Sequence, residues 1–149
     1  MVPNIETLNI LLVEDDMADQ KLVKSMIGKQ DMAYNLCVVS SAEEALDALA
    51  SGKYPTEGFT RPDLIILDLN MPGMGGREFL KHIKADEGLK QIPVVILTCS
   101  ASEADVLESY RLQAAGFITK PAALVELERV IREIVAYWSV LCRLPCQEC

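Results

Sequence analysis

Residues 62–76 read PDLIILDLNMPGMGG, and within them Leu64–Leu67 is an unbroken apolar run. A strand that is apolar on both of its faces is typical of a parallel sheet that helices cover on both sides. The run ends at Asp68, so such a strand would place this carboxylate at the edge of the sheet. We therefore expect an α/β fold with candidate chemistry directly after its strands.

Similar apolar runs recur along the chain, and amphipathic stretches separate them. Each strand–helix unit takes about 30 residues, which is the size of a βαβ element. Right-handed crossovers between parallel strands place helices on both faces of the sheet. The segments that we interpret as strands are Leu8–Val13, Leu36–Val39, Leu64–Leu67, Val94–Leu97 and Phe117–Ile118.

Start and stop signals frame several of the predicted helices. Apolar residues at helical spacing predict a first helix over Met17–Ile27. Ser41–Glu44 has the sequence of a capping box, and we expect the helix that it opens to stop at Gly52. The prolines and glycines of Gly52–Pro62 indicate a long surface loop, and a last helix is predicted over Ala122–Leu141.

The composition is that of a globular protein, and the net charge restricts the kinds of partner that it can bind. The chain has 149 residues, of which 50% are hydrophobic, and a formal net charge of −8. One domain of this length buries a substantial core, and the negative charge argues against nucleic acid or an anionic membrane as a partner. Residues 1–9 lack the basic start of a signal peptide, and the apolar run Ile134–Cys142 is too short to span a bilayer. We therefore expect a cytoplasmic protein.

Acidic side chains follow the predicted strands, together with a threonine and a lysine. Glu14-Asp15-Asp16 follows the first run, Asp68 the third, Thr98 the fourth and Thr119-Lys120-Pro121 the fifth. Two carboxylates about 4 Å apart repel by about 4 kcal/mol at an effective dielectric constant near 20, so a cluster of acids needs a cation. Oxygen ligands without clustered His or Cys favour Mg²⁺. For the acidic triplet alone, a solvated loop with an N-cap for the first helix is an equal alternative.

Four stretches, ILLVEDD, PDLIILDLNMPGMGG, IPVVILTCS and GFITKPA, are in the order and at the spacing found in one known family. Through them the chain resembles the receiver domains of two-component response regulators over nearly its whole length. The resemblance implies a flavodoxin-like (βα)5 fold, doubly wound, with a parallel sheet of strand order 2-1-3-4-5. It also implies a single receiver domain over residues 1–149, with its core at about 7–141 and a tail at 142–149.

The resemblance also implies a phosphoryl-accepting site. Asp68 would be the phosphoacceptor, and it would share Mg²⁺ with Asp15, Asp16 and the backbone carbonyl of Asn70. The protein would then be no enzyme with turnover, because it would catalyse only its own phosphorylation and dephosphorylation.

Three further residues take roles on the same basis. Lys120 would pair with the phosphoryl group, Thr98 would hydrogen-bond to it, and Phe117 stands at the position of the family's switch aromatic. The donor would be a partner histidine kinase, because His82 is the single histidine and is predicted to be a solvated side chain of a helix. The long loop before RPDLIILDLN, SYRLQAAGFITK and the ending IVAYWSVLCRLP are similar to stand-alone regulators of cyanobacterial phytochrome kinases.

Two other functions remain as alternatives. A phosphatase of the haloacid dehalogenase type also uses an Asp nucleophile with Thr, Lys and Mg²⁺. That class needs an acid two residues after the nucleophile, where this chain has Asn70, and it carries the nucleophile on its first strand. A receiver-like scaffold that needs no phosphorylation would have no use for the reacting groups that are retained here.

The last predicted helix has more apolar surface than a sheet would cover. Its predicted core face is Leu124, Leu127, Ile131, Ile134, Trp138 and Leu141. A second apolar series widens that face, and exposed apolar patches commonly mark interfaces. We therefore predict a homodimer, unless the long loop or the C-terminal tail covers the patch. Its interface residues would be Val130, Tyr137, Leu141 and Leu144.

The cysteines suggest reduced thiols rather than a disulfide framework, because five is an odd number. Cys142, Cys146 and Cys149 lack a fourth Cys or His nearby, so we predict free thiols there and no zinc site. Cys99 directly follows Thr98 where receiver domains usually have Ala or Gly. This difference from the family at Cys99 removes none of the reacting groups.

Overall fold

A computed structural model describes residues 7–30 and 33–145, and its central element is the predicted parallel sheet. The strand order β2-β1-β3-β4-β5 confirms the predicted topology. All four strand pairs are parallel, and Val13 of β1 lies opposite Leu67 of β3. The strands are β1 (Leu8–Val13), β2 (Tyr34–Val39), β3 (Leu64–Leu67), β4 (Val94–Thr98) and β5 (Gly116–Thr119).

A helix follows each strand, as the alternating pattern predicts. The helices are α1 (Met17–Gly28), α2 (Ala42–Ser51), α3 (Gly75–Ala85), α4 (Glu103–Arg111) and α5 (Leu124–Ala136), and α5 continues as a π-helical turn over Tyr137–Leu141. Within the described ranges, none of them is long and apolar enough to cross a bilayer.

The sheet has a separate hydrophobic core on each face because successive strand residues point to opposite sides. In β1, Leu11 and Val13 pack with residues of α2 and α3, whereas Ile10 and Leu12 pack with residues of α1 and α5. All residues of β3 are fully or almost fully buried, which is why this strand is an unbroken apolar run. The double-sided burial holds the carboxyl ends of the strands in a fixed register.

The capping signals around α2 are confirmed by the structure. The Ser41 hydroxyl accepts a hydrogen bond from the Glu44 amide at 3.0 Å, and Gly52 closes the helix with φ 72°. A left-handed residue at this position satisfies the last carbonyls of a helix, and glycine adopts it without steric cost. The Glu44 carboxylate reaches back to the amide of Ser40 at 3.0 Å, one residue before the amide in a standard capping box.

The segment over residues 52–62 differs from a simple surface loop. Phe59 is only 6% exposed and belongs to the core cluster, and its ring meets that of Tyr54 edge-on with 4.9 Å between centroids. A buried aromatic ring inside a Gly- and Pro-rich segment anchors the loop to the domain.

The predicted core face of the last helix is correct in its middle and wrong at both ends. Leu127, Ile131 and Ile134 are buried, but Leu124 is 61% exposed and Leu141 is 76% exposed. Leu124 is the first residue of α5 and precedes its first buried residue, Leu127, and Leu141 ends the π-helical turn. A π-helical turn takes more residues than an α-helical one, so it rotates later side chains away from the stripe.

Cys37 is buried and Cys99 is exposed, and both are free thiols, as is Cys142. Cys146 and Cys149 lie outside the described residues.

Candidate functional site

Backbone hydrogen bonds between neighbouring strands continue past the ends of β1, β3 and β5. They fix the position of the first residue after each of these three strands. The Glu14 amide donates to the Val39 carbonyl, and the Asp68 amide donates to the Val13 carbonyl, each at 3.1 Å. The Lys120 amide donates to the Thr98 carbonyl at 2.7 Å. The parallel ladder therefore presents these side chains together at the carboxyl edge of the sheet.

Three carboxylates meet at this edge. One oxygen from each of Glu14, Asp15 and Asp68 lies within 4.8 Å of the others. Glu14 is 2% exposed and Asp68 is 9% exposed, whereas Asp15 is half-buried. A close set of oxygen ligands without imidazole or thiolate suits a hard divalent cation such as Mg²⁺.

Asp16, which the sequence predicts as a ligand of Mg²⁺, is not one of these three carboxylates. Its carboxylate accepts a hydrogen bond from the Asp19 amide at 3.0 Å, so it is the N-cap of α1, and it is exposed. Glu14 takes its place in the acidic group because the last ladder bond of β1 turns this residue into the site. The sequence carried a signal for the capping role, since Asp is a preferred N-cap residue directly before a helix.

Lys120 lies among these acids at the predicted edge of the sheet, and its side chain is only 8% exposed. Its Nζ lies 2.5 Å from Glu14 Oε1, 2.9 Å from Asp19 Oδ2 and 3.6 Å from Asp68 Oδ2. Burial acts to lower the pKa of Lys120, but its hydrogen bonds to Glu14 and Asp19 outweigh burial and raise it. Lys120 is therefore a permanent positive charge, and Asp19 is a contact that sequence reasoning missed.

The site carries an excess of negative charge. Burial raises the pKa of Glu14 to about 7, and the neighbouring charge of Asp68 adds to this effect, while Lys120 opposes it. The carboxylates of Glu14, Asp19 and Asp68 surround the Lys120 ammonium group, and Asp15 lies close to those of Glu14 and Asp68. Because like charges this close disfavour ionisation, the arrangement fits a site that receives a further cation.

Asn70 and Thr98 complete the edge around Asp68. The Asn70 amide donates to Asp68 Oδ1 at 3.2 Å, and its side-chain amide donates to Thr98 Oγ1 at 3.5 Å. Thr98 is fully buried, and its hydroxyl oxygen also accepts from the Ser100 amide at 3.4 Å. The Thr98 hydroxyl thus faces the same edge as the Asp68 carboxylate.

The segment after Asp68 leaves no room for larger side chains. A Cβ added at Gly76 would lie 2.5 Å from the Asp68 carbonyl oxygen and 2.7 Å from the Leu69 Cα, so α3 starts directly against the backbone of the acidic residue. The turn before it includes Gly73 with φ 78°. The crowding at Gly76 and the positive φ of Gly73 explain two of the three glycines of PGMGG.

A polar network links α3 to the start of α4 beside Thr98. The Ser100 hydroxyl donates to Asp105 Oδ2 at 2.5 Å, and Arg77 of α3 forms an ion pair with the same carboxylate. The hydrogen bond from Ser100, together with the charge of Arg77, lowers the pKa of Asp105. This network anchors the segment between β4 and α4.

Phe117 is half-buried against the core cluster on the α3 side of the sheet. Its amide donates to the Tyr110 hydroxyl at 3.2 Å, which ties the edge strand β5 to α4. The predicted switch aromatic therefore lies on the edge strand that leads to Lys120.

Acidic residues, a buried threonine and a lysine at the carboxyl edge of a 2-1-3-4-5 sheet define the receiver class of signalling domains. The family described as "Response regulator receiver domain" matches residues 10–132. The chain belongs to this family.

Response regulators of cyanobacterial phytochromes are among the proteins to which the chain is similar. The chain is 39% identical to response regulator Rcp1 of Synechocystis sp., over 91% of this chain and 92% of that protein. The crystal structure of the phosphorylated cyanobacterial phytochrome response regulator RcpA matches with a TM-score of 0.86 at 37% identity, over 94% of this chain and 99% of that one. The Mn²⁺-bound form of Rcp1 matches with a TM-score of 0.83 at 37% identity, over 93% of this chain and 99% of that one.

Proposed function

We propose that this receiver domain accepts a phosphoryl group from a partner histidine kinase onto Asp68 in a Mg²⁺-dependent reaction. The observation that carries the proposal is that the Asp68 carboxylate lies in one acidic group with Glu14 and Asp15 and 3.6 Å from Lys120 Nζ. Phosphoryl transfer depends mainly on positioning and on neutralisation of charge, and this edge of the sheet offers both.

The metal would be held by Glu14, Asp15 and Asp68, with the backbone carbonyl of Asn70 as a further ligand. The close approach of these carboxylates and the raised pKa of Glu14 support this assignment. When bound, Mg²⁺ would neutralise charge on the transferred group. In this assignment Glu14 replaces Asp16, which caps α1.

The protein's own groups have distinct roles in the proposed transfer. An Asp68 oxygen attacks phosphorus while the bond between phosphorus and the histidine nitrogen of the kinase breaks. Lys120 then pairs with the negative charge of the phosphoryl group, and the Thr98 hydroxyl donates a hydrogen bond to one of its oxygens. To do so, the Thr98 hydroxyl would break its hydrogen bonds with Asn70 and Ser100. This movement would be transmitted to Phe117 on the neighbouring strand.

The phosphoryl group would come from another protein. His82 is the single histidine of the sequence, and it is exposed on α3. The similarity to Rcp1 and to the phytochrome response regulator RcpA supports a phytochrome-like histidine kinase as donor and a cytoplasmic location. The alternative of a haloacid-dehalogenase-type phosphatase receives no support, because Asn70 stands where its general acid is needed.

We also propose a homodimer through the end of the last helix, in a narrower form than the sequence predicts. Val130 and Leu144 are half-buried against the domain's own core, whereas Tyr137 is 49% exposed and Leu141 is 76% exposed. Val130 and Tyr137 also line a largely apolar groove of about 480 Å³ between β5 and the last helix. A second copy would cover the exposed side chains beside this groove.

The test of phosphoryl transfer is intact-mass measurement after incubation with acetyl phosphate and Mg²⁺. The wild type should gain the mass of one phosphoryl group, and a chelator should prevent the gain. Asp68→Asn should gain none while its circular dichroism spectrum remains that of the wild type. A gain by Asp68→Asn at the wild-type yield would refute the assignment.

A further inference from the structure

We infer that Asp19 competes with the phosphoryl group for Lys120. In this account Asp19 is a positioning residue of α1 that draws the lysine away from Asp68 in the unphosphorylated protein. The inference rests on the proposed function of Asp68 and adds a residue that neither the acidic group nor the family assignment includes.

The distances around the ammonium group carry the inference. Lys120 Nζ donates a hydrogen bond to Asp19 Oδ2 at 2.9 Å, but it lies 3.6 Å from Asp68 Oδ2, beyond hydrogen-bond distance. Its other hydrogen bond goes to Glu14 at 2.5 Å. The lysine is therefore hydrogen-bonded to Glu14 and Asp19 and has only an ion pair with Asp68.

The carboxylate of Asp19 is held in place by its own helix. Its amide donates to the capping carboxylate of Asp16, which fixes Asp19 in the first turn of α1. Further along, Val23 and Ile27 anchor α1 in the core. Lys120 is fixed just as firmly, because its amide is bonded to the end of β4. The contact therefore joins two rigid elements that are 101 residues apart in the sequence.

A phosphoryl group on Asp68 changes this balance. It brings oxygens with a stronger negative charge than a carboxylate, and Lys120 must approach them from its present position. Because Asp19 is 35% exposed and Lys120 is 8% exposed, the contact is worth more than a surface ion pair but less than a buried one. If removal of the Asp19–Lys120 interaction frees about 1 kcal/mol, the affinity for the phosphoryl group rises about fivefold.

The experiment measures the affinity for fluoroberyllate, a tetrahedral mimic of the phosphoryl group, at saturating Mg²⁺. Asp19→Asn should bind it about fivefold more tightly than the wild type. Asp47→Asn is the matched control, because it removes the same charge from an exposed position of α2, and its affinity should equal that of the wild type. A separate Mg²⁺ titration of each variant ensures that all are compared with the metal site full.

A double-mutant cycle separates the contact from general repulsion of an anion by a nearby acid. In a Lys120→Met background, Asp19→Asn should no longer change the affinity for fluoroberyllate. A fivefold gain that persists without the lysine would overturn the inference, as would equal affinities of the wild type and Asp19→Asn. Since Lys120→Met weakens anion binding, the same cycle is also run on the free energy of unfolding without ligand, where additive effects of the two substitutions would overturn the inference.

The outcomes also separate this inference from the proposed function. If the wild type neither binds fluoroberyllate nor takes up a phosphoryl group from acetyl phosphate, the proposed function fails. If the wild type does both and Asp19→Asn behaves in the same way, only the role of Asp19 fails.

Discussion

Glu14 makes the stability of the metal-free protein depend on pH in a direction that is unusual for an acid. Its pKa is raised from 4.5 to about 7 because the carboxyl group is buried beside Asp68. At pH values between 4.5 and about 7, the Glu14 carboxyl group is ionised in the unfolded chain but still protonated in the folded protein. Stability therefore falls as pH rises from 4.5 to 7 and stays low above pH 7.

The size of the effect follows from the two pKa values. A difference of one pKa unit between the folded and unfolded states corresponds to about 1.4 kcal/mol, so the free energy of unfolding falls by about 3 kcal/mol over this pH range. Glu14→Gln cannot ionise and keeps a side-chain oxygen for Lys120. The variant should therefore be about 3 kcal/mol more stable than the wild type at pH 8 without metal, and equally stable at pH 4.

The assay is urea unfolding at pH 4, 6 and 8, with a chelator and then with Mg²⁺. Added Mg²⁺ should stabilise the wild type at pH 8 and should stabilise Glu14→Gln much less, because the variant lacks one of the proposed ligands. Glu57→Gln, which removes an exposed acid from the loop over residues 52–62, is the control and should follow the wild type. A wild type whose stability stays parallel to that of Glu14→Gln from pH 4 to pH 8 would show that the pKa of Glu14 is not raised in the folded protein.

Three further predictions concern the network, the reactive edge and the dimer. Asp105→Asn should be less stable than the wild type at pH 7; because the pKa of Asp105 is lowered below its ordinary 3.8, this difference should disappear as acid unfolding curves are followed below that value. Cys99→Gly should shorten the lifetime of phospho-Asp68, followed by intact mass after the phosphodonor is removed, because Cys99 adds bulk directly after Thr98; an equal or longer half-life would exclude steric shielding. Tyr137→Glu should weaken self-association in sedimentation experiments, because it puts a charge on the exposed apolar surface, whereas a wild type that is monomeric at high concentration would contradict the dimer.

The strand-end residues could be predicted because a parallel sheet has a simple geometry. An apolar run of the length of β3 fixes where the strand ends, and the next residue, Asp68, then lies at the carboxyl edge. The same reasoning places Lys120 after β5, although that strand is short. Strand pairing brings these residues together without any information on side-chain packing.

The choice between Asp16 and Glu14 could not be made in this way. Glu14 lies in the site because its amide makes the last backbone hydrogen bond of the strand, to Val39. Asp16 lies outside the site because the chain has by then left the strand, and this residue caps α1. A sequence pattern places such a boundary only to within a few residues. The contact of Asp19 with Lys120 was also beyond reach, because nothing in the local sequence relates the first turn of α1 to the end of β5.

The end of the last helix shows a third limit. An apolar stripe at helical spacing assumes one helical period throughout, but the chain changes to a π-helical turn at Tyr137. Leu141 is thereby exposed, while Leu144, beyond the helix, returns to the core.

Asp68 should receive a phosphoryl group from a histidine kinase, and the transfer of a labelled group measures this step. A phytochrome-type kinase, labelled on its histidine with radioactive ATP and freed of nucleotide, is mixed with the wild type in Mg²⁺. The label should leave the kinase and appear on this chain in a form that hydroxylamine removes, as expected of an acyl phosphate. No transfer should occur to Asp68→Asn, and none in the presence of a chelator. Label that appears on Asp68→Asn, or that resists hydroxylamine on the wild type, would contradict the account.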